Sequence, residues 1–286
     1  MRRRRLWRRR LRRLRGLTVK IGIGYRHELA PWLARRPAAV GCLELTAEHF
    51  YSHNQRLQNF IDWRQQNGNA MSCFVHGLGL SLGTPGPLDR GRLNQFAEVA
   101  SACSAEWVSE HVAFTRTPEA DLGHLNPVRP TRQSVHVMAD HALELAERCR
   151  RPLLLENITS HIQLQGDLSE TQFLNELCRR GNCGLLLDVT NLFVNSRNHR
   201  FDPIQWLYEI DPACIQQLHI VGHSCRNDRF VDDHSQPVQP ELLQLARAVL
   251  NYAPVKAIIL ERDADFPPDA LMDAEIAKLK SLCGQN

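Results

Sequence analysis

Short apolar runs that end in a ligand-type residue recur along the chain. Four lie in its second half: Leu153-Leu154-Leu155-Glu156-Asn157, Leu185-Leu186-Leu187-Asp188, Leu218-His219-Ile220-Val221-Gly222-His223 and Ile258-Ile259-Leu260-Glu261. Apolar runs of this length are how strands buried on both faces read. Strands are expected over 20–25, 41–47, 71–77, 106–114, 152–157, 184–190, 215–223 and 256–262. Between them the apolar spacing lengthens to the helical period. Residues 54–66 gather Leu57, Phe60, Ile61 and Trp63 on one side; 89–104 carry Leu93, Phe96 and Ala100; 131–149 carry Val135, Met138, Ala142 and Leu145. Further helices are expected over 169–180, 202–209, 240–252 and 268–282, with Asp202-Pro203 and Pro267-Pro268-Asp269 as starts.

Strands alternating with helices in this number predict an α/β fold with a single (β/α)8 TIM barrel over residues 19–286. A doubly wound open sheet is the alternative. No G-x-G-x-x-G follows the first strand, which weighs against a dinucleotide site. The segments 115–130 and 223–239 are longer than barrel closure needs and are expected to shape a substrate site.

Composition changes this picture at one end only. Residues 1–16 hold ten Arg and no acid; the rest of the chain carries 25 Lys and Arg against 31 Asp and Glu, a net −6. Residues 1–18 therefore read as an Arg-rich, disordered extension, since like charges at this density repel and form no core. The acidic body offers no broad basic face for nucleic acid, and no apolar stretch approaches the roughly 20 residues that span a bilayer. The nine Cys are scattered, without a C-x-x-C pair or a legible secretory signal. Free thiols in a reducing cytoplasm are expected.

At the C-terminal ends of barrel strands, side chains converge on one mouth. Read in order, those ends supply Glu44 and Glu48, His76, Glu110 and His111, Glu156 and Asn157, Asp188 and Asn191, His219 and His223, then Glu261 and Asp263. The 223–239 segment adds Asp232 and His234. Bare carboxylates packed together would raise each other's pKa, and cations remove that conflict. An imidazole and carboxylate mixture without Cys suits iron, manganese or zinc. The strongest metal candidates are His76, His111, Glu156, Asp188, His219, His223, Asp232, His234 and Glu261, more than one ion needs, so two or three ions are expected. His219 and His223 share strand parity, as do Asp232 and His234. Glu44 and Glu48 fit a surface helix start equally well. A divalent-metal sugar isomerase or endonuclease on the same barrel is the competing reading.

Several short motifs carry a more specific resemblance. They are Gly22-Ile23-Gly24-Tyr25-Arg26, Leu43-Glu44-Leu45-Thr46-Ala47-Glu48, His76-Gly77-Leu78-Gly79-Leu80-Ser81-Leu82-Gly83 and Ser109-Glu110-His111. Leu155-Glu156-Asn157, Asp188-Val189-Thr190-Asn191, Val221-Gly222-His223, Asp232-Asp233-His234 and Leu260-Glu261-Arg262-Asp263 complete the set. In order and spacing over about residues 19–265 they resemble the multinuclear non-heme iron-dependent oxidases that modify cysteines in ribosomally made peptides. The resemblance implies a xylose-isomerase-like barrel and a centre of two or three iron ions of mixed valence, with dioxygen as co-substrate. It implies a Cys-containing precursor peptide as substrate, a small leader-recognising partner protein, and no nucleic-acid or membrane partner. Carried over residue by residue, the ligands are His76, His111, Glu156, Asp188, Asp232, His234 and Glu261, with His219, His223 or both beside them. Catalytic roles fall to Glu156, Asp188 and Asp232. Thr190 departs from the Asn usual at its place in such oxidases.

Overall fold

The computed structural model describes residues 18–35, 39–51, 54–67 and 71–285. The expected Arg-rich extension lies, except for Thr18, outside the described residues. The strands in chain order are β1 (Lys20–Gly24), β2 (Cys42–Thr46), β3 (Ser72–His76), β4 (Val108–His111), β5 (Ala113–Arg116) and β6 (Asp121–Pro127). They continue with β7 (Leu153–Glu156), β8 (Gly184–Asp188), β9 (Ile215–Ile220), β10 (Gly222–Arg226), β11 (Arg229–Gln236) and β12 (Ala257–Leu260). Strands β1, β2, β3, β4, β7, β8, β9 and β12 pair in parallel and close into a barrel, each beside its neighbour in the chain order of the eight. The fold is thus the TIM barrel that the apolar runs predict. Every residue of β2, β3, β4, β7, β8 and β12 is buried, because helices cover the outside and side chains fill the inside.

The lower interior is apolar: Cys42, Phe74, Trp107, Leu154, Leu186, Ala257 and Ile259 form one buried cluster, with Phe74 stacked on Trp107 at 3.8 Å. The period of two along a strand then places Glu44 above Cys42, His76 above Phe74, Glu156 above Leu154, Asp188 above Leu186 and Glu261 above Ile259. On β1 the matching position is Gly22. A Cβ there would stand 2.3 Å from the Cys42 carbonyl oxygen, so only glycine lets these strands approach.

The outer helices follow the expected apolar spacing, and two termini show why they start where they do. Thr131 caps Arg132–Cys149 by accepting from Ser134 N, and Ser169 with Gln172 makes a capping box at Glu170–Arg180. The structure corrects four expectations. The expected strand over 106–114 is two strands in different sheets, β4 and β5, parted at Val112. Residues 189–199 form a helix capped by Asp188, where a strand to 190 was expected. The long segments after β4 and β9 are β-hairpins, β5–β6 and β10–β11, rather than irregular loops. The expected strand over 215–223 is two strands, interrupted at Val221. Thr190 explains that break, since its hydroxyl donates to Val221 O at 2.7 Å and accepts from Val221 N at 3.1 Å. No helix among the described residues is long and apolar enough to cross a membrane.

Candidate metal centre

Glu156, at the end of β7, stands at the middle of the mouth. Its Oε2 lies 3.4 Å from His76 Nε2 and 3.6 Å from His111 Nε2. Its Oε1 lies 3.4 Å from His219 Nδ1, which is 2.9 Å from Glu261 Oε2. Glu261 Oε2 is in turn 3.8 Å from His234 Nδ1, itself 3.1 Å from Asp263 Oδ2. Among the described residues the ligand atoms fall into three groups: His76, His111 and Glu156; Glu156, Asp188, His219 and Glu261; His234, Glu261 and Asp263. Within each group they lie within 4.8 Å of one another. Glu156 belongs to the first two groups and Glu261 to the last two, so the three form a connected row.

Hydrogen bonds behind the imidazoles fix which ring nitrogen faces the centre. His76 Nδ1 pairs with Ser109 Oγ at 2.9 Å, and His111 Nδ1 donates to Gly77 O at 3.1 Å, leaving each Nε2 toward Glu156. His219 is reversed. Its Nε2 donates to Glu44 Oε1 at 2.5 Å, so Nδ1 faces Glu156 and Glu261. Such bonds set tautomer and orientation in metal sites. Asp188 uses Oδ1 to cap its helix, accepting from Asn191 N at 2.7 Å, and Asn157 clasps its backbone from both sides. Asp232 Oδ2 accepts from His234 Nε2 at 2.8 Å.

Those bonds leave atoms over. His76 Nε2, Glu156 Oε2, Asp188 Oδ2, His219 Nδ1 and Asp232 Oδ1 are buried with no hydrogen-bond partner. His219 Nδ1 is close to Glu261 but outside hydrogen-bonding geometry. A buried polar atom without a partner costs about 1–3 kcal/mol; the first four belong to one row, and Asp232 is bonded to His234 at its edge. Cations at the three groups would satisfy them together, so the donor set fits a metal cluster of imidazole and carboxylate ligands.

The protonation balance carries the same strain. Burial, then the charges of Asp232 and Glu156, holds the Asp188 carboxyl well above its ordinary range. Burial with His111 and His219 nearby keeps His76 well below. Burial would lower His111, but Glu156 and Glu110 outweigh it and push it up to about 9. Burial is likewise outweighed at His234, where Glu261, Asp232 and Asp263 push it up to about 12. At Asp188, His111 and His234, protons therefore stand where cations would bind.

Of the sequence candidates, His76, His111, Glu156, Asp188, His219, His234 and Glu261 come together, with Asp232 bound to His234 at their edge. His223 does not join them. The break at Val221 turns it away from β9, its Nε2 lies 3.3 Å from Glu241, and its ring stacks on Phe193 at 4.9 Å. Glu44 is placed differently from a surface helix start, whereas Glu48 does begin a short helix, Ala47–Phe50. Glu44 is buried inside the barrel, accepting from His219 and from Gln217 Nε2 at 2.5 Å. Glu48 accepts from Leu78 N and Gly79 N at 2.9 Å and fastens the His76–Gly83 loop. Asp263, read only as a strand-end acid, joins His234 and Glu261; Arg26, at 2.5 Å from its Oδ1, was not singled out.

Above the row opens a cavity of about 810 Å³. His111, Glu156, Asp232, His234 and Glu261 line it, and so do Tyr25, Phe60, Trp63, Leu78 and Leu125. Its size and mixture of apolar surface with a few polar groups are those of a ligand site.

Comparison with known proteins agrees with the barrel. A model of the RiPP precursor modification enzyme MbnB/TglH/ChrH family (RiPP denotes a ribosomally made, later modified peptide) matches residues 20–283. A UPF0276 protein of Chromobacterium violaceum is 32% identical over 246 residues, 86% of this chain and 88% of the relative. In fold alone, the crystal structure of D-psicose 3-epimerase is similar with a TM-score of 0.61 at 12% identity, covering 93% of this chain and 100% of that one. A xylose isomerase domain protein from Planctomyces limnophilus gives 0.58 at 12% identity, covering 93% and 97%. The fold is therefore the xylose-isomerase-like form of the TIM barrel, and the chain belongs to the MbnB/TglH/ChrH family of RiPP precursor modification enzymes.

Proposed function

We propose that this protein is a multinuclear iron-dependent oxidase that uses dioxygen to modify a cysteine of a ribosomally made precursor peptide. The observation that carries the reading is the connected row of three ligand groups, in which His76 Nε2, Glu156 Oε2, Asp188 Oδ2 and His219 Nδ1 are buried without a hydrogen-bond partner. Family membership supplies the peptide substrate class.

His76, His111 and Glu156 would hold one ion; Glu156, Asp188, His219 and Glu261 a second; His234, Glu261 and Asp263 a third, with Asp232 beside it. Bound iron would supply Lewis acidity toward a thiolate and electrons for dioxygen. The remaining work belongs to the chain. Glu156 and Glu261 couple neighbouring positions, and Ser109, Gly77 and Glu44 keep the three inner imidazoles aimed. Five carboxylates against three divalent or trivalent cations leave the floor cationic, which favours an anionic ligand such as a thiolate over the neutral thiol. Asp232 lines the cavity, and its carboxylate, without a partner at the buried Oδ1, would be the base that takes the proton of an entering thiol. Tyr25, Phe60 and Trp63 give the peptide an apolar wall and limit water at the floor. A small leader-recognising partner would deliver the peptide. The nine cysteines, all free thiols, suit a reducing cytoplasm.

The test is metal analysis of protein prepared without oxygen, followed by dioxygen uptake with a Cys-containing peptide. Iron in the centre and uptake that needs the peptide thiol are expected. Turnover supported by magnesium or zinc without oxygen would sink the oxidase reading and favour an isomerase or nuclease.

A further inference from the structure

A second cavity, of about 250 Å³, adjoins the first. It lies between the β5–β6 hairpin and the segment after β7, and Val112, Val128, Ile158, Leu168, Phe173 and Leu174 supply the apolar half of a lining whose other half is polar. Ile158 borders both cavities, so one side chain forms the wall between them. We infer that this second cavity is a specificity subsite for an apolar side chain of the peptide, close in sequence to the cysteine that is modified. The inference rests on the peptide-oxidase reading above.

Three features suit the cavity to that guest. Ile162 and Leu164 stand at its rim with 58% and 36% exposure, and exposed apolar side chains grouped at a cavity mark a contact surface. The wall is preformed. Asn195 holds the Ser160 N–H at 2.9 Å and the Ile158 carbonyl at 2.8 Å, and His199 Nε2 donates to Ser160 O at 2.7 Å. No bare charge meets the guest either. Glu170, the one acid in the lining, accepts from Trp206 Nε1 at 2.9 Å, and burial raises its pKa.

The offset between the two sites follows from chain geometry. Ile158 is two residues beyond Glu156, at most about 7 Å along an extended chain. A bound peptide advances about 3.3 Å per residue, so the guest side chain lies within about four residues of the cysteine. Burying a leucine-sized side chain there should tighten binding roughly ten- to a hundred-fold.

The experiment uses the full chain loaded with iron and kept free of oxygen. The probes are short Gly/Ser peptides with one central Cys and a single Leu moved from position to position, with binding read from the visible absorption of the centre. One Leu position should tighten binding at least about tenfold over the Leu-free peptide. In Ile162→Asp/Leu164→Asp that preference should flatten, while iron content and affinity for the Leu-free peptide stay the same. Leu164→Asp alone carries the same test if the double variant folds poorly. A flat scan in the unmodified protein, or a preference the variant leaves intact, overturns the subsite while the thiol response still supports the oxidase reading. A centre that responds to no thiol peptide overturns both.

Discussion

The two ends of the barrel treat charge in opposite ways. At the bottom, Lys20 Nζ reaches Glu106 at 2.6 Å and Ser72 Oγ at 2.5 Å; the charges there are half-exposed and matched within the protein. At the mouth, Glu156, Asp188 and Glu261 are buried beside histidines, yet ligand atoms of Glu156, Asp188, His76 and His219 stay without hydrogen-bond partners. Buried charge is tolerated when it is paired or coordinates metal. The difference teaches that Lys20 and Glu106 are matched within the polypeptide, whereas the mouth presents donor atoms that cations could complete.

The contrast can be broken most severely at Glu156. Glu156→Ala removes a member of two groups and should reduce iron per chain and lower turnover by at least about 100-fold. Circular dichroism should stay native, because the apolar layer beneath is untouched. Full iron loading and turnover in that variant would make Glu156 structural.

A buried pair just outside the row separates fold from centre. Arg262 points away from the mouth, donating to Glu275 Oε2 at 3.2 Å and to Asp265 O at 2.9 Å. Glu275→Ala strands this buried guanidinium and should cost about 3–5 kcal/mol of stability in denaturant titration. Iron per folded chain should not change; a proportional loss of iron would mean that Arg262 helps to build the centre.

Proton competition gives the next effect. Against an ordinary value of 6.5, His111 is raised to about 9 in the metal-free fold. A raised folded-state value contributes stability that is complete below 6.5 and is lost as pH rises through about 9. Metal-free protein should therefore lose stability across that window, and iron-loaded protein should not. Iron affinity should rise over the same window as the proton leaves. Parallel pH profiles for both forms would count against His111 as a ligand.

His223→Leu is expected to do less. It removes the Glu241 contact and keeps an apolar body against Phe193 and Phe230, so iron content should be unchanged and stability should fall by about 1 kcal/mol. Loss of an ion would restore His223 to the ligand set. The smallest change is expected at the bottom, where Lys20→Met breaks a half-exposed pair worth about 0–1 kcal/mol. A change in iron content there would contradict the division between the two ends.

Most barrel strands were legible because they are apolar runs buried on both faces, a pattern that survives without an alignment; β4, with Ser109, Glu110 and His111, is not such a run. The helix over 189–199 was not. Val189, Thr190, Leu192, Val194 and Asn195 are all buried, so the polar and apolar alternation that marks a surface helix is missing. Strand parity was read for His219 with His223 and for Asp232 with His234. It misled at His223, because parity holds only while the strand continues and Thr190 interrupts it at Val221. Asp232 and His234 meet despite an irregular hairpin in which His234 takes a φ of 52°, a left-handed backbone that alternation does not foresee. Glu44 was readable in principle. Leu43-Glu44-Leu45 places one acid between two apolar neighbours, so on a strand it faces the opposite side, which in a barrel is the interior.

The central claim is a row of ions joined by Glu156 and Glu261. Anomalous diffraction at the iron edge, from crystals grown with ferrous iron and without oxygen, tests it directly. The account predicts three peaks at the mouth, with Glu156 shared by the first two and Glu261 by the last two. A single peak, or ions bound away from Glu156, would contradict it.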